Sequence, residues 1–211
     1  LEAQEVNLLI DGLPETVNIA GEKVPIEAGF RTGILFEEAI NDATMSDEEK
    51  IITMLGLYFP RVELTEETVK PAAEAALWFY RCGDDKPLPK NEDEGEPGKR
   101  SFSYEYDADY IYAGFMEAYG IDLTQKNLHW WQFHALFRAL PETTQIVKII
   151  GYRTMRIPKH CSKEQRDHIQ RMKRIYALPD EYTQSPQEAD LTALLMRGGN
   201  PESLLRNSKN G

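Results

Sequence analysis

LHWWQFHALFRALP, residues 128–141, places two tryptophans and two histidines within fourteen residues. Wound at about 100° per residue, Trp130, Phe133, Phe137 and Leu140 fall on one helical face, with Leu136 beside them and Trp131 adjoining the stripe. His129 and His134 are then about 140° apart around the axis. Histidines that share a metal on one helix are usually four residues apart, and this helix has no carboxylate to complete a site. An aromatic stripe at this spacing reads as core, so the stretch is the buried seam of a helical protein.

The same period recurs on both sides of the seam. Phe36, Ala39, Ile40 and Ala43 mark a first helix. Ser46 with Glu49 forms a capping box opening a second, apolar at Ile51, Met54, Leu55 and Tyr58 and stopped before Pro60. Pro71 can begin a third, AAEAALWFYRC, with Gly83 as its stop. Tyr110, Phe115 and Tyr119 line a fourth that ends at Gly120. Gly114 inside it costs about 1 kcal/mol against Ala and permits a close helix contact. Residues 128–140 and 144–156 follow, and Ser162 with Gln165 caps a helix running to about Leu178. Ser185-Pro186-Gln187-Glu188 opens a last one before the glycines at 198 and 199.

Two stretches break the helical period. In ETVNIAGEKVPIEAGF, Val17, Ile19, Val24 and Ile26 share one face of a β-hairpin turning at Gly21. KPLPKNEDEGEPGKR, rich in Pro, Gly and charge, reads as an exposed loop. The expected fold is mainly α: a helical bundle of about seven to eight helices with a small N-terminal β-hairpin. Residues 1–83 hold the hairpin and first helices, 84–100 the loop, 101–180 a helical block packing on the first, and 181–211 a helix and frayed tail. Together they are expected to make one structural domain.

A net charge of −11 argues against nucleic acid and anionic membranes, which attract positive fields. No run approaches the roughly 18 apolar residues of a membrane span. The opening LEAQEVNLLI has neither an initiator Met nor a signal pattern and reads as trimmed. Cys82 and Cys161 belong to no CxxC pair, so free thiols in a cytoplasm are the simplest account, and no metal or cofactor is expected.

Three other constellations have competing readings. His160, Cys161 and His168 lack a fourth metal ligand, and a Cys161–His160 nucleophilic pair lacks any oxyanion signature. Asp107 and Asp109 lie about 160° apart on a helix, a poor metal pair but well placed at a helix start. Residues 153–176 hold eight Lys or Arg against two acids, a local +6 in an acidic chain. Either this is a solvated face, or Arg166, Arg171, Lys173 and Arg174 dock an acidic partner or another copy of the chain.

WFYRCG (78–83), DADYIYAGF (107–115), YGIDL (119–123), LHWWQFHALFRALP and then Tyr152-Arg153 occur in that order. Together with the hairpin, FRTGILFEE and the SDEEK cap, they resemble the bacteriophage family named for gene product fifteen of a Listeria phage, over about residues 13–178. The resemblance implies a protein encoded among the tail-morphogenesis genes of long-tailed phages, between the major tail protein and the tape measure. It implies a non-catalytic tail assembly chaperone that binds the tape measure protein in the host cytoplasm, with a virion component of the tail or neck as the alternative. A cysteine-dependent enzyme stands well behind both. The family brings no catalytic residue.

Overall fold

The computed structural model describes residues 6–42, 44–83, 100–158 and 160–179. Ala43, nearly all of the expected loop of 84–100 and the expected helix after Ser185 lie outside the described residues. Within them the chain is helical apart from one hairpin: β1 (Thr16–Ile19), β2 (Glu22–Pro25), α1 (Phe30–Asn41), α2 (Asp47–Tyr58), α3 (Val69–Tyr80), α4 (Ala108–Tyr119), α5 (Trp130–Arg138), α6 (Gln145–Thr154) and α7 (Lys163–Ile175). The described residues fall into two compact units: 6–83 with 127–135, and 100–126 with 136–179. Residues 127–135, assigned by sequence to the later block, therefore pack with the N-terminal helices.

In the first unit, β1 and β2 pair antiparallel with Ile19 opposite Glu22. The two-residue turn Ala20-Gly21 has φ of 52° and 93°, the paired left-handed conformation that matches strand twist. Asn18 Oδ1 accepts the Gly21 N–H at 2.8 Å. Val17, Ile19 and Ile26 are buried as expected, whereas Val24 is only half-buried. β1 lies against α3, and α2 packs between α1 and α3 in the contact order.

The Ser46–Glu49 capping box forms with both reciprocal bonds, and Ile51, Met54, Leu55 and Tyr58 all point inward. α3 begins two residues before Pro71, which sits in the first turn, where a missing N–H costs no intrahelical bond. Its end also differs from expectation. The left-handed residue after the cap is Cys82, at φ 57°, and Gly83 follows at φ 78°. Gly83 N–H bonds Trp78 O and Cys82 N–H bonds Phe79 O, closing a Schellman motif.

In the second unit, α6 packs against both α4 and α7. Gly114 of α4 faces Ile146 Cγ2 and Leu140 Cδ1, at 3.3 and 3.4 Å from where a Cβ would stand, so the close contact expected there exists. Tyr110 does not line the core. It is exposed, and Ile111, Gly114 and Phe115 form the buried face instead. α7 has its Ser162–Gln165 capping box but ends at Ile175, three residues early.

Candidate functional site

The aromatic seam is core, as its spacing predicts. Trp130, Trp131 and Phe133 are buried in the first unit, Phe137 and Leu140 in the second. Each indole N–H must find an acceptor once it leaves water. Trp130 Nε1–H donates to Tyr80 O and Trp131 Nε1–H to Phe79 O, each at 2.7 Å. Both acceptors are last-turn carbonyls of α3, and Phe79 O takes the indole N–H in addition to the Cys82 N–H of the Schellman motif. Trp130 also lies flat on α1: a Cβ on Gly33 would stand 2.3 Å from its ring.

Two helices start from one backbone exchange. Phe30 N–H, at the head of α1, bonds Leu128 O, and Trp130 N–H, at the head of α5, bonds Ala28 O. Each strand-like lead-in thereby satisfies an orphan donor of the other helix. His129, in the middle of this bridge, works as a spacer rather than a ligand. Its Nδ1 accepts Trp131 N–H at 3.1 Å, so the proton sits on Nε2, 2.9 Å from Pro14 O. Burial lowers its pKa against the smaller opposing pull of the Pro14 carbonyl and Glu15. His134 packs its ring on Trp130. Nearby, Tyr80 O–H bonds Glu37, and the wholly buried Tyr58 hydroxyl is held protonated by burial, then by neighbouring Cys82 and Glu37.

Asp107 departs from the expected helix-start role. It occupies the N-cap position of α4, but its side chain makes no cap bond. Its carboxylate instead receives the Arg153 guanidinium in fork geometry, at 2.6 and 2.9 Å, and the Ser103 N–H at 3.0 Å. Both side chains are almost fully buried. Arg153 also donates to Ser101 O at 3.1 Å and to Tyr176 O, at the end of α7, at 2.6 Å. One cation thus ties the entry to α4 and the C-terminus of α7 to α6. Sequence spacing cannot pair residues 46 apart, although each lies in a run with a local signal of its own.

α7 carries the candidate docking residues. None of its residues is buried. Its inner side is Ile169, Met172, Lys173 and Tyr176, all half-buried, with Tyr176 stacked on Tyr152 at 5.7 Å. Arg166, Arg171 and Arg174 are exposed, and Ile175 is 61% exposed beside them. Lys173 does not belong with them: its Nζ donates to Arg153 O at 3.0 Å, inside the unit. Of the four candidates the exposed cations are therefore Arg166, Arg171 and Arg174, which share the solvent side of α7 with exposed Lys163, Glu164 and Asp167. His160 and Cys161 lie before the Ser162 cap, while His168 Nδ1 lies 3.4 Å from Arg171 Nη2. Among the described residues no group of three His, Cys, Asp or Glu could hold a metal ion, and no helix is long and apolar enough to cross a membrane.

No curated protein and no solved structure matches the chain. A family model does, over residues 9–178, which takes in the hairpin, the tryptophan seam, the Asp107–Arg153 pair and α7. The chain belongs to the family described as Bacteriophage Gp15 protein, and so is a bacteriophage protein.

Proposed function

We propose that this phage protein is a non-catalytic tail assembly chaperone, acting in the host cytoplasm and binding the tape measure protein before the tail tube forms around it. The observation that carries the reading is α7, a capped helix held to its unit by one side only, with Arg166, Arg171, Arg174 and Ile175 turned to solvent. An exposed Ile flanked by arginines suits a helical partner that carries apolar residues beside acidic ones, and a long, partly apolar tape measure needs such cover before assembly. Arg is a frequent interface anchor because its planar fork binds carboxylates at two points. The net charge of −11 would keep such a complex soluble. The gene order implied by the family resemblance points the same way.

The test is co-purification of a tape-measure fragment with the wild type and with R166E/R171E/R174E. The wild type should retain the fragment at low salt, and the variant should lose it while keeping its helicity. Retention by the variant at low and moderate salt would make α7 a solvated face. Mass spectrometry of purified virions separates the chaperone from a tail or neck component, because a chaperone is scarce in the finished particle.

A further inference from the structure

The outer face of α4 is the chemical complement of α7. Tyr106, Tyr110, Tyr112 and Met116 are all more than a third exposed. Glu105, Asp109 and Glu117 are exposed among them, and residues 101–125 contain no Lys or Arg at all. Tyrosine and methionine on an acid-rimmed helix face resemble the centre of a binding patch, since the rigid tyrosine ring buries large area at low ordering cost and methionine adapts to a partner's shape.

We infer that this α4 face docks the α7 face of a second copy of the chain, head to tail. Charge and spacing both support the pairing. Asp109 and Glu117 are eight residues apart on α4, as are Arg166 and Arg174 on α7, so each pair spans about 12 Å along its axis. Antiparallel docking sets Arg174, in the last turn of α7, against Asp109, in the first turn of α4, with Arg166 against Glu117. The helix dipoles then oppose one another favourably, and exposed Ile175 comes beside exposed Tyr110. A chain cannot satisfy itself this way, because both faces are open to solvent at once within one unit. The contact joins two different surfaces, so a dimer keeps one α4 face on one copy and one α7 face on the other, and assembly continues past the dimer. This inference is independent of the tape-measure reading, although a tape measure on α7 would compete with the second copy.

The experiment uses the full chain alone in sedimentation velocity across a concentration series at low and moderate salt. Species larger than a dimer should grow with concentration and shrink with salt. D109R/E117R and R166E/R174E should each be monomeric, their apparent Kd weakened at least tenfold, whereas the neutral D109N/E117Q should weaken in the same direction by less. Mixing the two charge-reversed proteins restores complementarity at both contacts, so association should return. A monomeric wild type, a two-fold dimer that grows no further, or a mixture that stays monomeric would each overturn the inference.

Discussion

In the first unit, two neutral indole N–H groups cap the last carbonyls of α3; in the second, a charged guanidinium caps the last carbonyl of α7. Both devices bring a side-chain donor to carbonyls at a helix C-terminus. They differ in what surrounds them. Trp130 and Trp131 are stacked into a ring cluster with Phe30, Phe79, Tyr80 and Phe133, so donor and hydrophobic filler are one side chain. Arg153 brings a charge that Asp107 must neutralise, and no residue of α7 is more than half-buried around it. The first unit is held by packing, whereas the second adds to its own buried core of Ile111, Phe115, Ile146 and Ile149 a polar tie that anchors α7 and leaves one face of that helix in solvent.

Removing the tie should have the largest effect. Arg153→Met leaves the Asp107 carboxylate buried without its cation, at a cost of about 3–5 kcal/mol. Circular dichroism should show lost helix and a large fall in Tm. Arg153→Lys keeps the charge but not the fork, and should recover only part of the loss. A variant as stable as wild type would mean that the pair does not hold the second unit together.

Gly33→Ala attacks the other side of the comparison. Alanine is the better helix former by about 1 kcal/mol, so on propensity alone the change should stabilise α1. The Trp130 ring, however, occupies the space of the new Cβ and is pinned by its bond to Tyr80. We expect a net loss of about 1–3 kcal/mol, read as a lower denaturant midpoint. A rise in midpoint would show that the ring has room to move.

The capping boxes sharpen the contrast, since Ser46 and Ser162 make the same bonds. Ser to Ala at such a position costs about 1 kcal/mol locally. At Ser46 it should appear in global stability, because α2 buries Lys50, Ile51, Met54, Leu55 and Tyr58. At Ser162 it should appear as faster amide exchange in α7 with Tm nearly unchanged, because local opening there exposes little. Equal shifts in Tm would place α7 in the cooperative core.

These cases also show what the sequence could and could not reveal. Ser46–Glu49, Ser162–Gln165 and the stripe from Trp130 to Leu140 are local patterns, set by neighbours three or four residues away, and each was legible. Asp107 was misread because an acid at a helix start has a sufficient local reason to be there. Its true partner is 46 residues distant, and nothing in either neighbourhood selects it. Gly33 carried no signal either, since a glycine inside a helix looks like a defect until the ring across it is known. The cationic stretch was visible as charge, but only the bond from Lys173 to Arg153 O separates a structural cation from the exposed ones.

The smallest effect concerns pH and tests whether the bridge between α1 and α5 needs a neutral His129. His129 uses Nδ1 as an acceptor for Trp131 N–H and presents Nε2–H to Pro14 O, so the neutral ring fits and a second proton would displace the Trp131 bond. Burial lowers its pKa below the ordinary 6.5. The unfolded chain therefore takes up the proton at higher pH than the folded one, and stability rises with pH where the two differ. The contribution is complete above about 6.5 and declines as pH falls through the lowered folded value. His129→Gln keeps a donor and an acceptor without a titrating proton, so its denaturant midpoint should vary less between pH 7 and pH 5 than that of wild type. Because the other three histidines remain in both proteins, the difference between the two curves isolates His129. Superimposable curves would mean that the ring accepts its second proton without disturbing the bridge between α1 and α5.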